Sequence, residues 1–184
     1  MYFSETAVIA LPAPDVFTLM ADNVESLVPH LPNIVSIRTD AAERKDQMVS
    51  ITTRVWQALP GHLPRAFRPF LSAEMMRWTD HSVWDASDFS ETWTVTNSGP
   101  ATLYTCTGTN SFAPHPDAPE THTLLRFTGQ LDLNAEQIKG VPAFVGRRLK
   151  PKVEAFIVGM ITKNFSEVIE ALKNMEAPRR VANL

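Results

Sequence analysis

The chain begins with an alternating segment, YFSETAVIAL (residues 2–11), in which Phe3, Ala7, Ile9 and Leu11 share one side with Glu5. A period of two predicts a strand, because successive side chains of an extended chain point to opposite faces. The period then changes. In LPAPDVFTLMADNVESLVPHLPNI, Val16, Phe17, Met20, Val24, Leu27 and Val28 recur at helical spacing after Pro12 and Pro14, and Pro29 and Pro32 stop the pattern. Two short helices, or one bent one, are expected there.

Six runs rich in threonine, valine and aromatic residues follow: IVSIRTD, QMVSITTRVWQ, SAEMMRWTDHSVWD, DFSETWTVTN, ATLYTCTGTNSF and THTLLRFTGQLDL. The breaks between them carry Asp, Asn, Gly and Pro, as in AAERKD and NSGP, so the runs predict a meander of antiparallel strands. ALPGHLPRAFRPFL, after Gln57, reads as a short helix over the sheet, and APHPDAPE as a Pro-rich loop. The last pattern, RRLKPKVEAFIVGMITKNFSEVIEALKNM, is one long helix.

That helix is apolar over more than one packed face. From Val153 to Ile169 its apolar side chains cover an arc of roughly 220°, about twice what a single contact needs. Either part of the arc lines a cavity, or strands grip one flank and helices cover the other around a filled core. From Ser166 onwards charged residues return to one side, as expected where a helix leaves a sheet. Gly159 in its interior suits a close approach, a portal, or a tolerated packing position.

The order strand, helix pair, six strands, long helix predicts an α+β fold in which a curved antiparallel sheet of six to seven strands wraps around the last helix, the elements able to cover its one buried face being helical. One domain over residues 1–176 is expected, with 177–184 as a flexible tail.

Composition narrows the function. With 44% apolar and 20% charged residues the chain is globular in type. A net charge of −3, from 17 basic and 20 acidic residues without a basic run, offers no footprint for nucleic acid. The lone Cys106 permits no intrachain disulfide, which favours a cytoplasmic setting. The start lacks a basic leader and no stretch is long and apolar enough to span a bilayer, so a soluble protein is expected.

The APDVFTLMAD segment after the first strand, and the element order across nearly the whole chain, resemble the START-like (SRPBCC) superfamily and its helix-grip fold. The stretch ALPGHLPRAFRPFLSAEMMRWTDHSVWD is similar to PRELI-type lipid-transfer domains and to a bacterial family of helix-grip proteins, and IKGVPAFVGRRLKPKVEAFI is closer to the bacterial group. The resemblance implies a deep apolar cavity between sheet and helix, used within the superfamily for lipids, other apolar molecules, or cyclase-type chemistry. It supplies no catalytic motif.

The expected cavity wall comprises Trp56, Phe67, Phe70, Met75, Trp78, Phe89, Trp93 and Phe127 from the sheet and its insertion, with Phe156, Ile157, Met160 and Ile161 from the helix. Glu91 stands out, because alternation sets it on the apolar side with Phe89, Trp93 and Val95. It is either a ligand anchor or acid/base group, or half of an ion pair with Arg54 or Arg77. Those two arginines are themselves candidate polar anchors for an anionic headgroup, or surface side chains. In HPDAPETH, His115, Asp117, Glu120 and His122 lack the tight spacing of zinc motifs and read as a surface loop. Cys106 reads as a small buried residue. No metal, cofactor or nucleophile signature is present.

Three functions follow. The first is a non-enzymatic carrier or sensor of a lipid-like or polycyclic molecule, with PGHLPRAFRPFL as a lid or a transient membrane contact. The second is a cyclase, dehydratase or hydrolase using Glu91 with Tyr104 or His81. The third is a homodimeric interaction module with a filled core.

Overall fold

In the computed structural model, residues 1–59, 76–97, 104–134 and 143–181 are described. Seven strands form one antiparallel sheet in the order β1-β7-β6-β5-β4-β3-β2. They are β1 (Tyr2–Ile9), β2 (Ile34–Arg44), β3 (Val49–Ala58), β4 (Arg77–Asp85), β5 (Ser90–Asn97), β6 (Tyr104–Pro114) and β7 (Thr123–Leu133). Strands β2 to β7 are the expected meander, and β1 returns along β7, pairing Phe3 with Gly129 and Ala7 with Leu125.

The expected helix pair is two elements, α1 (Ala13–Asp22) and a 3₁₀ helix (Val24–His30). Pro12 and Pro14 start α1: the Pro12 carbonyl accepts from the amides of Asp15 and Val16, and the lost proline N–H of the first turn would have no intrahelical partner anyway. Ala13, Val16, Phe17 and Ala21 form its buried stripe. Phe17 meets Trp84, Phe89 and Phe112 edge-on at 5.5–5.7 Å between ring centroids, a favourable aromatic geometry. Together α1 and the 3₁₀ helix carry the chain from one edge of the sheet, β1, to the other, β2.

The long helix, α2 (Ala143–Val181), packs on β1, β7 and the 3₁₀ helix. Its helical backbone runs through residue 181. Burial along it varies with position. Phe165, Val168, Ile169, Ala171 and Leu172 are all buried, whereas Phe156, Val158, Met160 and Ile161 are only half-buried. Val153 and Ile157 are buried as well, so both halves of the helix carry a buried stripe, and Ile157, Met160 and Ile161 flank a space. No helix among the described residues is long and apolar enough to cross a membrane.

Candidate ligand cavity

The inward face of the sheet is set by register. Pairing aligns Trp56 with Trp78, Arg54 with Asp80, and Asp80 with Val95 across β3, β4 and β5. The next rows align Ser82 with Trp93 and Trp84 with Glu91, and Glu91 in turn with Asn110 and Phe127 across β6 and β7. Partners in an antiparallel pair share a face, so these residues form one surface.

Between this surface and α2 lies a cavity of about 230 Å³. Stacked rings line it. Trp56 lies parallel to Trp78 at 5.9 Å on one side, and Trp93, Phe127 and Phe165 stack in series at 5.4 and 4.3 Å on the other. Ile157, Met160 and Ile161 of α2 close it. Among the described residues the interior therefore holds an open space, which counts against the packed-core alternative.

Trp93 can lie flat because β6 and β7 carry paired glycines beneath it. Gly108 faces Gly129 in the register, and a Cβ on Gly108 would collide with the Trp93 ring and the Thr128 carbonyl oxygen. A Cβ on Gly129 would collide with Phe3 and with Trp93.

The floor is polar. Glu91 is 4% exposed and accepts from Asn110 Nδ2 at 2.5 Å through Oε2. Its Oε1 lies 2.7 Å from Ser82 Oγ, which also lies 3.0 Å from Asp80 Oδ1. Asn110 is oriented by Trp93, whose indole N–H donates to Asn110 Oδ1 at 3.2 Å. Burial, and then the neighbouring Asp80, push the Glu91 carboxyl up to about 8, against the pull of Ser82, Asn110 and Arg54. Burial also raises Asp80, eased by Ser82, Arg54 and Trp56. The Trp56 indole is near enough to ease the Asp80 charge, yet its N–H makes no hydrogen bond.

Arg54, 3% exposed, is held away from both carboxylates. It donates to the Ala21 carbonyl and, at 3.4 Å, to Thr39 Oγ1, and its guanidinium stands 5.5 Å over the Trp84 ring. The Trp84 indole is in turn fixed by Thr52 Oγ1 at 3.0 Å. Arg54 thus supplies positive potential to the floor, and the expected direct ion pair with Glu91 is absent among the described residues. A second polar spot lies on the α2 side, where Asn33 donates to Glu167 and Lys163 is 3.9 Å from the same carboxylate.

Several sequence expectations change. Arg77 is exposed and is no anchor in the cavity. Phe89 ends the turn before β5 with φ 52° and packs on Phe17 instead of lining the space. Phe156 is half-buried and is not a wall residue either. His81 faces outward, with Nδ1 3.0 Å from Thr53 Oγ1, so it cannot pair with Glu91 in the cavity. Tyr104 and Cys106 do reach the wall, and burial raises the phenol and pushes the thiol up to about 12, leaving both neutral. His115 and His122 lie in the β6–β7 loop with rings 6.3 Å apart. Among the described residues, no three His, Cys, Asp or Glu side chains cluster as metal ligands would. Phe67, Phe70, Met75 and the expected lid lie outside the described residues.

Asp80, Ser82 and Asn110 were not singled out from sequence. The signal was present in part: alternation puts Asp80 and Ser82 on one side with Trp78 and Trp84. Only the register brings them to Glu91.

No protein-family model matches the chain, and no curated protein matches it. Solved structures do. The Zhui aromatase/cyclase from Streptomyces sp. R1128 is similar over 98% of this chain and 95% of its own, with a TM-score of 0.63 and 18% identity. Norcoclaurine synthase from Thalictrum flavum, in complex with dopamine and hydroxybenzaldehyde, covers 97% and 87%, with a TM-score of 0.58 and 11% identity. Ara h 8.0201 covers 95% and 96%, with a TM-score of 0.50 and 12% identity.

The fold is the helix grip.

At these identities the likeness extends to the fold alone. Helix-grip neighbours place a long C-terminal helix across a curved sheet, and in this chain that arrangement encloses the ring-lined cavity and its acidic floor. A shared fold does not fix a function.

Proposed function

We propose that the protein binds a compact, ring-bearing hydrophobic molecule in the cavity between sheet and α2. The observation that carries this reading is the wall: two sets of parallel aromatic rings facing a space of about 230 Å³. Flat rings favour flat ligands through offset stacking, and apolar burial supplies affinity at about 25 cal/mol per Å². The size favours one to three fused rings over a two-chain lipid, since pockets for drug-sized ligands run to about 300–1,000 Å³. Arg54 is committed to a backbone carbonyl and to Trp84, which counts against the capture of an anionic lipid headgroup. The complex of a structural neighbour with dopamine and hydroxybenzaldehyde is consistent with ring-bearing ligands on this fold.

Native mass spectrometry of protein purified from cells, with titration of its tryptophan fluorescence by 1-naphthol and by palmitate, tests the reading. Saturable quenching by 1-naphthol is expected, and Met160→Trp, which fills the space from the half-buried flank of α2, should abolish it while the melting temperature holds. Quenching by palmitate alone would favour the lipid reading. Quenching by neither, with no co-purifying apolar molecule, would sink the proposal.

A further inference from the structure

We infer that Asp80, Ser82 and Glu91 form a one-proton relay that catalyses proton transfer between the α-carbon and the carbonyl oxygen of a neutral cyclic ketone. The inference rests on the binding reading above and adds an activity to it.

Ser82 Oγ lies within hydrogen-bond distance of a carboxylate oxygen on each side, 3.0 Å from Asp80 and 2.7 Å from Glu91. A hydroxyl has one proton to give, so it can donate to one carboxyl only. The second contact is a hydrogen bond only when that carboxyl carries a proton and donates to the serine. Which one follows from its neighbours. Trp93 fixes the Asn110 carbonyl, so the Asn110 amide donates to Glu91 Oε2 and leaves Oε1 to face Ser82. Asp80 has Arg54 opposite it in the register, which favours its charge. The consistent arrangement is an ionised Asp80 accepting from Ser82, and Ser82 accepting from a neutral Glu91. The charge count agrees: one buried arginine balances one carboxylate, and a second ionised acid would stand uncompensated in an apolar site.

This arrangement is paired with an unused donor. Trp56 Nε1 is buried, makes no hydrogen bond, and belongs to a ring on the cavity wall. A ligand carbonyl seated there would satisfy it. The cavity wall then carries a base, an acid and a carbonyl donor, the set that enolisation needs.

The step balances within the site. Asp80 takes the α-proton, and the electron pair of that C–H bond becomes the new C=C bond. The Glu91 O–H turns from Ser82 to the carbonyl oxygen, whose π pair takes its proton as an O–H bond. Asp80 is left neutral and Glu91 ionised, and the proton returns from Asp80 to Glu91 through the Ser82 hydroxyl. No oxidant, reductant or second substrate enters. A cyclic ketone becomes its enol, which is a phenol where the ring can aromatise. Asp80 and Glu91 are the catalytic residues, and Ser82 is a positioning residue that acts between them.

The test uses 1-tetralone in D₂O, following deuterium uptake at its C2 position by NMR, with 1-naphthol binding as the separate readout. Wild-type protein should accelerate uptake above the buffer rate. Glu91→Gln and Asp80→Asn, which keep shape, should each lower the rate at saturating 1-tetralone by about 100-fold, while tryptophan fluorescence still reports saturable 1-naphthol binding. Ser82→Ala should lower it too, and Ser82→Thr should restore it. Uptake at the buffer rate by protein that binds 1-naphthol would overturn the relay and leave the binding reading standing. So would acceleration that survives both acid substitutions. Failure of both ketone and naphthol to bind would overturn the binding reading, and the relay with it.

Discussion

Trp93 lies over Gly108 and Gly129 because two neighbouring strands present no side chain beneath it, and its indole then orients Asn110, which orients Glu91. The position of an acid on the cavity floor thus depends on two hydrogens three links away. Gly108→Ala tests the chain. The new methyl meets a backbone oxygen, which cannot move as a side chain can, so a loss of about 1–3 kcal/mol in urea unfolding is expected from overpacking. The Trp93 emission maximum should shift with it. A variant as stable as wild type with unchanged emission would show that the notch is not needed. Alternation sufficed to set Glu91, Trp93 and Val95 on one face, because a strand has only two sides. It could not identify Asn110 or Ser82, since small polar residues are equally at home on an outer face.

At the scale of elements, α2 shows why breadth of an apolar stripe was a good signal and an incomplete one. The arc from Val153 to Ile169 is broad because Ile157, Met160 and Ile161 face a space while Phe165 both borders it and stacks on Phe127 of β7. Helical periodicity records which side chains avoid water and is silent on whether an atom or a void lies opposite. Gly159 gives an independent check. It is exposed, and a Cβ there would meet nothing within 4 Å among the described residues, so neither close approach nor packing explains it. Gly159→Ala should stabilise the protein by about 1 kcal/mol through helix propensity, read as a higher urea midpoint at unchanged slope. Destabilisation would show that the glycine serves some contact.

The whole molecule carries the cost of its acidic floor as a pH dependence. An unfolded Glu91 releases its proton near the ordinary 4.5, whereas the folded side chain holds it up to about 8. Between those values the folded state binds a proton that the unfolded state has lost, so stability falls as pH rises from about 4.5 to about 8. Asp80 is shifted in the same direction, and Arg54 opposes both shifts. Thermal melts from pH 5 to pH 8.5 should show a decline for wild type that Glu91→Gln flattens. Equal slopes for the two proteins would mean that Glu91 is ionised in the fold throughout.

Local patterns determined the elements of this protein and their order: seven alternating runs, a proline-started helix pair and one long apolar helix, each legible because it depends on neighbours within a few residues. They also put an acid on an apolar face. The assembly of the site was decided by tertiary structure. Asp80 and Ser82 on β4, Glu91 on β5 and Asn110 on β6 meet through cross-strand register, while His81 and Arg77, equally plausible from sequence, point away. Register is a property of paired strands, and a one-residue slip would turn each of these side chains to the opposite face.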